Sequence, residues 1–455
     1  MVSRSVSTVS TSAEAPPRAP TFAEALRYWW KLGWISFGGP AGQIAIMHQE
    51  LVERRRWISE ARFLHALNYC MVLPGPEAQQ LATYIGWLMH RTRGGIAAGV
   101  LFVLPSLLVL VVLSWIYMAY GNTPAIEGML YGIKPAVTAI VAHAAWRIGS
   151  RTLRSPALWT IAALAFVAIY AFAVPFPAIV LAAGAIGAIG GRVAPAQFAG
   201  ASAHSAASGT HRAAVIDDTT PTPAHARFRA SRLALAVAFG VVLWAASLGT
   251  LAFAASGAPA LAQMGWFFTK AALLTFGGAY AVLPYVVQGA VQTYGWLSAT
   301  QMIDGLALGE TTPGPLIMVV AFVGFVGGWN VQAFGPDQLP LAGIIAACVA
   351  TWFTFLPSFI FIFAGGPLIE STHGQLRFSA PLTAVTAAVV GVIVNLAVFF
   401  AVHVFWPRGF SGPFEWPSMV ICTLAAAALF RFKVGVIPVI AASAGLGLVF
   451  YFAAN

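Results

Sequence analysis

Apolar runs of about eighteen residues or more recur from one end of this chain to the other, the length a helix needs to cross a bilayer. Charge agrees. Only 8% of the 455 residues are Asp, Glu, Lys or Arg, against about 25% in a soluble domain, too few to cover a water-exposed surface of this size. The fold class is therefore an all-α polytopic membrane protein. The net charge of +10 does not point to nucleic acid. The basic residues gather in loops between apolar segments, where they orient a chain in a membrane. Cys70, Cys348 and Cys422 lie in apolar runs, with no CxxC, haem or metal spacing. They read as small core residues, and no metal or other cofactor is expected.

Two polar stretches divide the chain. Residues 1–21 are rich in Ser, Thr, Ala and Pro and lack the apolar core of a signal peptide, so they read as a disordered cytoplasmic arm. Residues 194–232 read as a flexible cytoplasmic linker. Between and beyond them lie a first repeat at 22–193, an extra transmembrane helix at 233–255 and a second repeat at 256–455.

The repeat is legible at an offset of 239. Lys31 falls on Lys270, Ser36 to Gly39 (SFGG) on Thr275 to Gly278 (TFGG), Trp57 on Trp296 and Ser59 on Ser298. Pro74-Gly75-Pro76 falls on Pro313-Gly314-Pro315. After a short insertion, Leu104-Pro105-Ser106 matches Leu356-Pro357-Ser358. That many identities in one gap-free register mark an internal duplication.

About thirteen apolar segments are readable, and seven separate each element from its copy. Seven is odd, so the second copy enters from the opposite face, giving inverted-topology repeats. With the N-terminus in the cytoplasm, Arg91, Arg93, the Arg147–Arg151–Arg154 group, the linker arginines, Arg377, Arg431 and Lys433 all fall inside, and the C-terminus outside. Arg54, Arg55, Arg56 and Arg62 join them only if the FGG and PGP segments are re-entrant, broken hairpins, the arrangement favoured here.

Inside lipid an irregular backbone survives only where protein buries it or a cavity meets it, so the breaks should be interior. Proline suits a first helical position. A half-helix starting at Pro76 aims the N–H groups of Glu77 and Ala78 out of its end, and one starting at Pro315 aims those of Leu316 and Ile317. Four such ends meeting at the membrane centre would hold an anion with their dipoles. Lys31 and Lys270, six positions before each FG pair, are intramembrane cations in both copies. Lys134 has no counterpart. Thr275 opens the second FGG copy; Gln79, Gln80, Thr311 and Thr312 offer neutral donors to an oxyanion. Glu77 and Glu310 flank the PGP motifs, where a carboxylate either caps a helix or carries a proton coupled to anion movement.

The run WKLGWISFGGPAGQIAIMHQELVERRRWISEARFLHALNYCMVLPGPEAQQLATYIGWLMHRTRGGIAAGVLFVLPS resembles the first domain of the chromate ion transporter family (ChrA type). FFTKAALLTFGGAYAVLPYVV, followed by GLALGETTPGP and TFLPS, resembles its second domain. The resemblance implies a long-chain, two-domain member that exports chromate across the plasma (inner) membrane on the proton-motive force, with sulfate as an isosteric competitor. It also implies functional roles for Lys31, Phe37, Gly38, Gly39, Pro40, Arg62, Pro74, Gly75, Pro76 and Glu77, and for Lys270, Gly277, Gly278, Pro313, Gly314 and Pro315. Ala279 stands where Pro40 stands in the first copy, and Leu316 where Glu77 stands, so the halves are not equal and the first should dominate coupling.

Three other readings compete. A passive oxyanion channel could be built from the same half-helices, and the glutamates separate it from a proton-coupled carrier. A sulfate or other inorganic anion transporter would use the same site. A membrane-bound reductase finds no flavin, haem or metal motif, and the absence of G-x-x-x-x-G-K-[ST] argues against ATP-driven pumping. The small-residue stretch 182–191 (AAGAIGAIGG) suits helix packing within a chain or across a homodimer.

Overall fold

The computed structural model describes residues 17–37, 39–198, 213–217, 220–221, 223–254, 259–276, 278–371 and 379–454. Most of the N-terminal arm, Arg377, Gly38 and Gly277 therefore lie outside the described residues. Sixteen α-helices are present among those described. Seven are long and apolar enough to cross a membrane, and three more apolar helices are shorter.

Both FGG segments and both PGP segments are broken. The first FGG segment is α1 (Phe22–Ile35), an extended break, α2 (Gly39–His48) and a π-helical turn, Gln49–Arg54. The first PGP segment is α3 (Glu60–Val72), the break, and the opening of α4 (Glu77–Tyr120). At about 1.5 Å per residue, α1 is roughly 20 Å long, short of the ~30 Å of a hydrocarbon core. Thr21 starts it with a reciprocal capping box to Glu24. Ser59 caps α3 by accepting from the Arg62 N–H.

α4 is two helices that meet in a sharp bend at His90 and Arg91, where φ/ψ leave the helical region. The two arms fold against each other through Gly86 and Gly94, where a Cβ on Gly86 would stand 2.5 Å from the Gly94 carbonyl oxygen. α5 (Pro124–Thr152), α6 (Pro156–Phe172) and α7 (Phe176–Val193) complete the first half, and α8 (Ala230–Ala254) follows.

The second half repeats this plan: α9 (Pro259–Leu274), α10 (Ala279–Val287), a π-helical turn Gln288–Thr293, α11 (Ala299–Thr311), a 3₁₀ turn Leu316–Met318 and α12 (Val319–Asn330). Then come α13 (Leu339–Ser371), α14 (Ser379–Phe405), α15 (Trp416–Phe430) and α16 (Val436–Ala454). The duplication reaches backbone detail. The two π-turns stand at the same offset of 239, as do positive φ at Arg56 and Gly295 and the capping serines Ser59 and Ser298. Tyr28 meets Trp57 edge-on at 5.5 Å, and Phe267 meets Trp296 edge-on at 5.4 Å.

These contacts fix where each broken segment begins and ends. In the first half, Tyr28 joins Trp57 beneath the Arg55 guanidinium, and His90 Nε2 donates to the Pro20 carbonyl at 3.1 Å. The ends of both first-half segments thus lie close together, near where α13 finishes with Glu370 against Arg62. In the second half, Phe267 joins Trp296, and Asn330 donates to the Trp296 carbonyl at 2.9 Å. α4 finishes beside the second half, with Tyr117 bonded to Asp304 of α11.

Four sequence readings change. The half-helix after the first PGP starts at Glu77, with Pro76 as its N-cap residue. The second starts as a 3₁₀ turn at Leu316, with Pro315 before it. The linker is docked in part: Val215 and Ile216 donate to the carbonyls of Arg56 and Trp57, and the Ser59 N–H donates to Ile216. Cys348 is exposed rather than core, and lines an apolar crevice of about 760 Å³ between α4, α8 and α13. The small-residue stretch packs inside the chain, with Gly187 and Gly191 against Ala380 and Ala384 of α14.

Candidate functional site

The breaks of the two halves meet, and each is bonded to the other half. The Gly75 N–H donates to the Thr275 carbonyl at 2.8 Å, and the Gly314 N–H donates to the Ser36 carbonyl at 2.8 Å. These are one contact made twice, since Gly314 is the copy of Gly75 and Thr275 that of Ser36. Such reciprocity, where i meets j and j meets i, is the mark of a two-fold arrangement.

Side chains brace this crossing. Gln43 Nε2 donates to the Gly314 carbonyl at 2.6 Å and lies 3.4 Å from that of Ser36. Gln80 Nε2 donates to the Pro74 carbonyl at 2.8 Å and to Ser358 Oγ at 3.3 Å. Ser106 and Ser358 come from the middle of α4 and α13, each beside the other half's PGP glycine. A Cβ on Gly314 would stand 2.7 Å from that of Ser106, and one on Gly75 would stand 2.6 Å from Ser358 Oγ. Ser36, Gln43, Gln79, Gln80, Ser106 and Thr275 are fully buried. The oxygens Gln43 Oε1, Gln79 Oε1, Gln80 Oε1 and Ser106 Oγ have no hydrogen-bond partner among the described residues.

The arrangement suits a small oxyanion. Four helix starts, at Gly39, Glu77, Ala279 and Leu316, border the crossing, and the first N–H groups of a helix lack intrahelical partners. Their dipoles favour negative charge without a full cation. Gly39 and Gly278 carry positive φ at the FGG breaks, and Pro40 sits in the first turn of α2. Pro74, Pro76, Pro313 and Pro315 flank the crossing glycines.

Several expected site residues are placed elsewhere or otherwise engaged. The Thr311 and Thr312 hydroxyls donate to the Leu308 and Gly309 carbonyls. Those of Thr275 and Ser36 donate to Ala271 and Leu32. A hydroxyl has one hydrogen, so these four cannot donate to an anion as they stand. Gln79 Nε2 is likewise turned onto Thr83 Oγ1 at 3.1 Å. Lys31 and Phe37 are exposed, and Lys270 is half-buried with its Nζ 5.8 Å from the centre of the Trp266 ring. Arg62 is twelve positions from Pro74, at the end of the bundle, where it binds Glu370 at 2.5 Å and the Thr220 carbonyl at 3.0 Å. Of the two acids, Glu77 is the first residue of α4, while Glu310 accepts from Tyr280 OH.

Residues 23–188 and 262–448 match the sequence profile described as chromate transporter. This chain belongs to the chromate transporter family. The transporter is 29% identical over 446 residues to the chromate transport protein of Cupriavidus metallidurans, covering 97% of each chain. It is 33% identical over 387 residues to that of Pseudomonas aeruginosa, covering 84% of this chain and 82% of the other. A probable chromate transport protein of Synechococcus elongatus is 28% identical over 373 residues, 82% of each chain. No solved structure matches the transporter. Relatives of this kind are transporters, not enzymes, and the transporter is a multi-pass membrane protein.

Proposed function

We propose that this transporter exports chromate from the cytoplasm across the plasma membrane, driven by the proton-motive force, and that sulfate competes for the same site. The reciprocal crossing of Gly75 with Thr275 and Gly314 with Ser36 carries the reading. Two inverted copies of one module bring their breaks together at mid-membrane, where helix N-termini receive a tetrahedral dianion. Glu77 and Glu310 stand within that region and carry the proton. The FGG and PGP hairpins re-enter rather than span. The N-terminus is cytoplasmic, because Arg55, Arg62 and the docked linker gather at the end where the first-half hairpins open. The C-terminus is then outside.

The same crossing argues for a carrier over a channel. Its backbone groups bond to each other across fully buried residues, so passage requires the two halves to part. Labelled chromate flux in everted vesicles tests the proposal. Uptake should rise with an imposed proton gradient and fall with excess sulfate. Chromate movement insensitive to ΔpH would support a channel, and no chromate movement at all would end the reading.

A further inference from the structure

A second buried polar cluster lies apart from the crossing. Asp304 is on α11, nine residues before Pro313, about 14 Å along a helix axis. It is 1% exposed. Its Oδ2 accepts from Tyr117 OH at 2.9 Å and lies 3.7 Å from Lys134 Nζ. Its Oδ1 is buried and has no hydrogen-bond partner among the described residues. The carboxylate comes from the second half; the phenol and the ammonium come from α4 and α5 of the first. Among the described residues, these two are the titratable groups that the packed elements turn toward it. Glu310, on the same helix, is bonded to Tyr280 instead.

The opposite end of the bundle offers a comparison. There Arg62 and Tyr84 hold the two oxygens of Glu370 at 2.5 Å each, and both members of the ion pair are enclosed, at 13% and 1% side-chain exposure. That cluster is tight and complete. Lys134–Asp304 is loose, leaves one buried carboxylate oxygen without a hydrogen-bond partner among the described residues, and has a lysine side chain 27% exposed. The duplication offers no packing reason for it, since the first-half counterpart of Asp304 is His65, whose ring meets the Ile369 carbonyl. A buried carboxylate is tolerated as an ion when a cation faces it; deprived of that cation, it neutralises.

We propose that Lys134 and Asp304 form a second oxyanion station, where a tetrahedral dianion and the Asp304 carboxylate compete for one ammonium. When the anion takes Lys134, Asp304 takes a proton from hydronium onto Oδ1, releasing water. When the anion leaves, the proton returns to water and the carboxylate pairs again with Lys134. Anion and proton therefore bind together here, so affinity rises as pH falls. The proposal rests on the oxyanion reading above and adds a site to it.

Equilibrium binding of labelled sulfate and labelled chromate to the full-length transporter in nanodiscs, from pH 5.5 to 8.5, tests it. Sulfate stays a dianion throughout, so its pH dependence belongs to the protein. Wild type should bind at least ~10-fold tighter at the acid end. Asp304→Asn, locked neutral, should flatten the profile to the slope that Glu77 and Glu310 set at the crossing. Lys134→Gln should weaken binding at least ~10-fold at pH 5.5. Lys134→Met/Asp304→Asn removes both charges together, keeps the fold because no charge is left unpaired, and should lack the component of the slope that Asp304→Asn loses. A wild-type pH slope in Asp304→Asn or in the double variant overturns the station, as does a slope abolished by Glu77→Gln but not by Asp304→Asn. Failure of wild type to bind either anion would instead overturn the oxyanion reading itself.

Discussion

Gly75 lies so close to Ser358 that a single added methyl would fall 2.6 Å from the serine Oγ, across the boundary between the two halves. Its φ of 126° is one that residues with a side chain rarely adopt, and Gly314 repeats the situation with φ 98° beside Ser106. Gly75→Ala and Gly314→Ala should each cost about 1–3 kcal/mol from backbone strain alone, with the clash added. Thermal unfolding in detergent should show the loss, and chromate flux should fall at least ~10-fold in each. Wild-type flux in either variant would mean the crossing does not need this close approach.

Ser106 is the fully buried hydroxyl at the crossing whose oxygen has no partner among the described residues. Ser106→Ala removes that group and leaves no other group stranded. Thermal stability should hold or rise slightly, while the chromate KM rises about fivefold to tenfold, the worth of one hydrogen bond of about 1–1.4 kcal/mol. An unchanged KM would place the anion elsewhere.

Breaking a buried ion pair costs more than removing it whole. Arg62→Met should destabilise the transporter by about 3–5 kcal/mol, because it leaves the Glu370 carboxyl, 1% exposed, without its partner. Arg62→Met/Glu370→Met should recover most of that loss. Unfolding midpoints of the two variants check the order, and equal destabilisation of both would show that the pair is not the main contact.

The docked linker gives a fourth expectation. Ile216→Pro removes the N–H that donates to Trp57, beside the entry to α3. Limited proteolysis after residue 198 should then proceed several-fold faster than in wild type, with the helical core intact. An unaltered digestion pattern would mean this short pairing does not hold the linker.

Much of this architecture was legible because the duplication preserved its interruptions. FGG, PGP and the serine caps stand at one offset in the sequence, and the folded chain breaks or caps its helices there. The choice of partner was not legible. Gly75 and Thr275 meet through backbone atoms, which leave no mark in residue identity. Glu370 and Asp304 were missed because their partners lie 308 and 187 positions away, on helices whose facing sides no apolar pattern specifies when both are buried all round. The threonine hydroxyls are engaged for a local reason. Thr311 and Thr312 end a helix, where a hydroxyl readily bonds the carbonyl three residues back. The linker carried one weak signal, the apolar Val215–Ile216 pair inside a polar stretch.

Because both backbone bonds of the crossing join one copy to the other, neither copy can finish its own interior. A half released from this chain would keep its helices yet leave Gly75 or Gly314 with an amide and nothing to give it to. Such a fragment must recruit a second molecule to become whole. Cutting the chain within 199–212 and producing the two pieces together should therefore restore a working protein that neither piece yields alone, and the covalent tether is a convenience of assembly rather than a part of the machine.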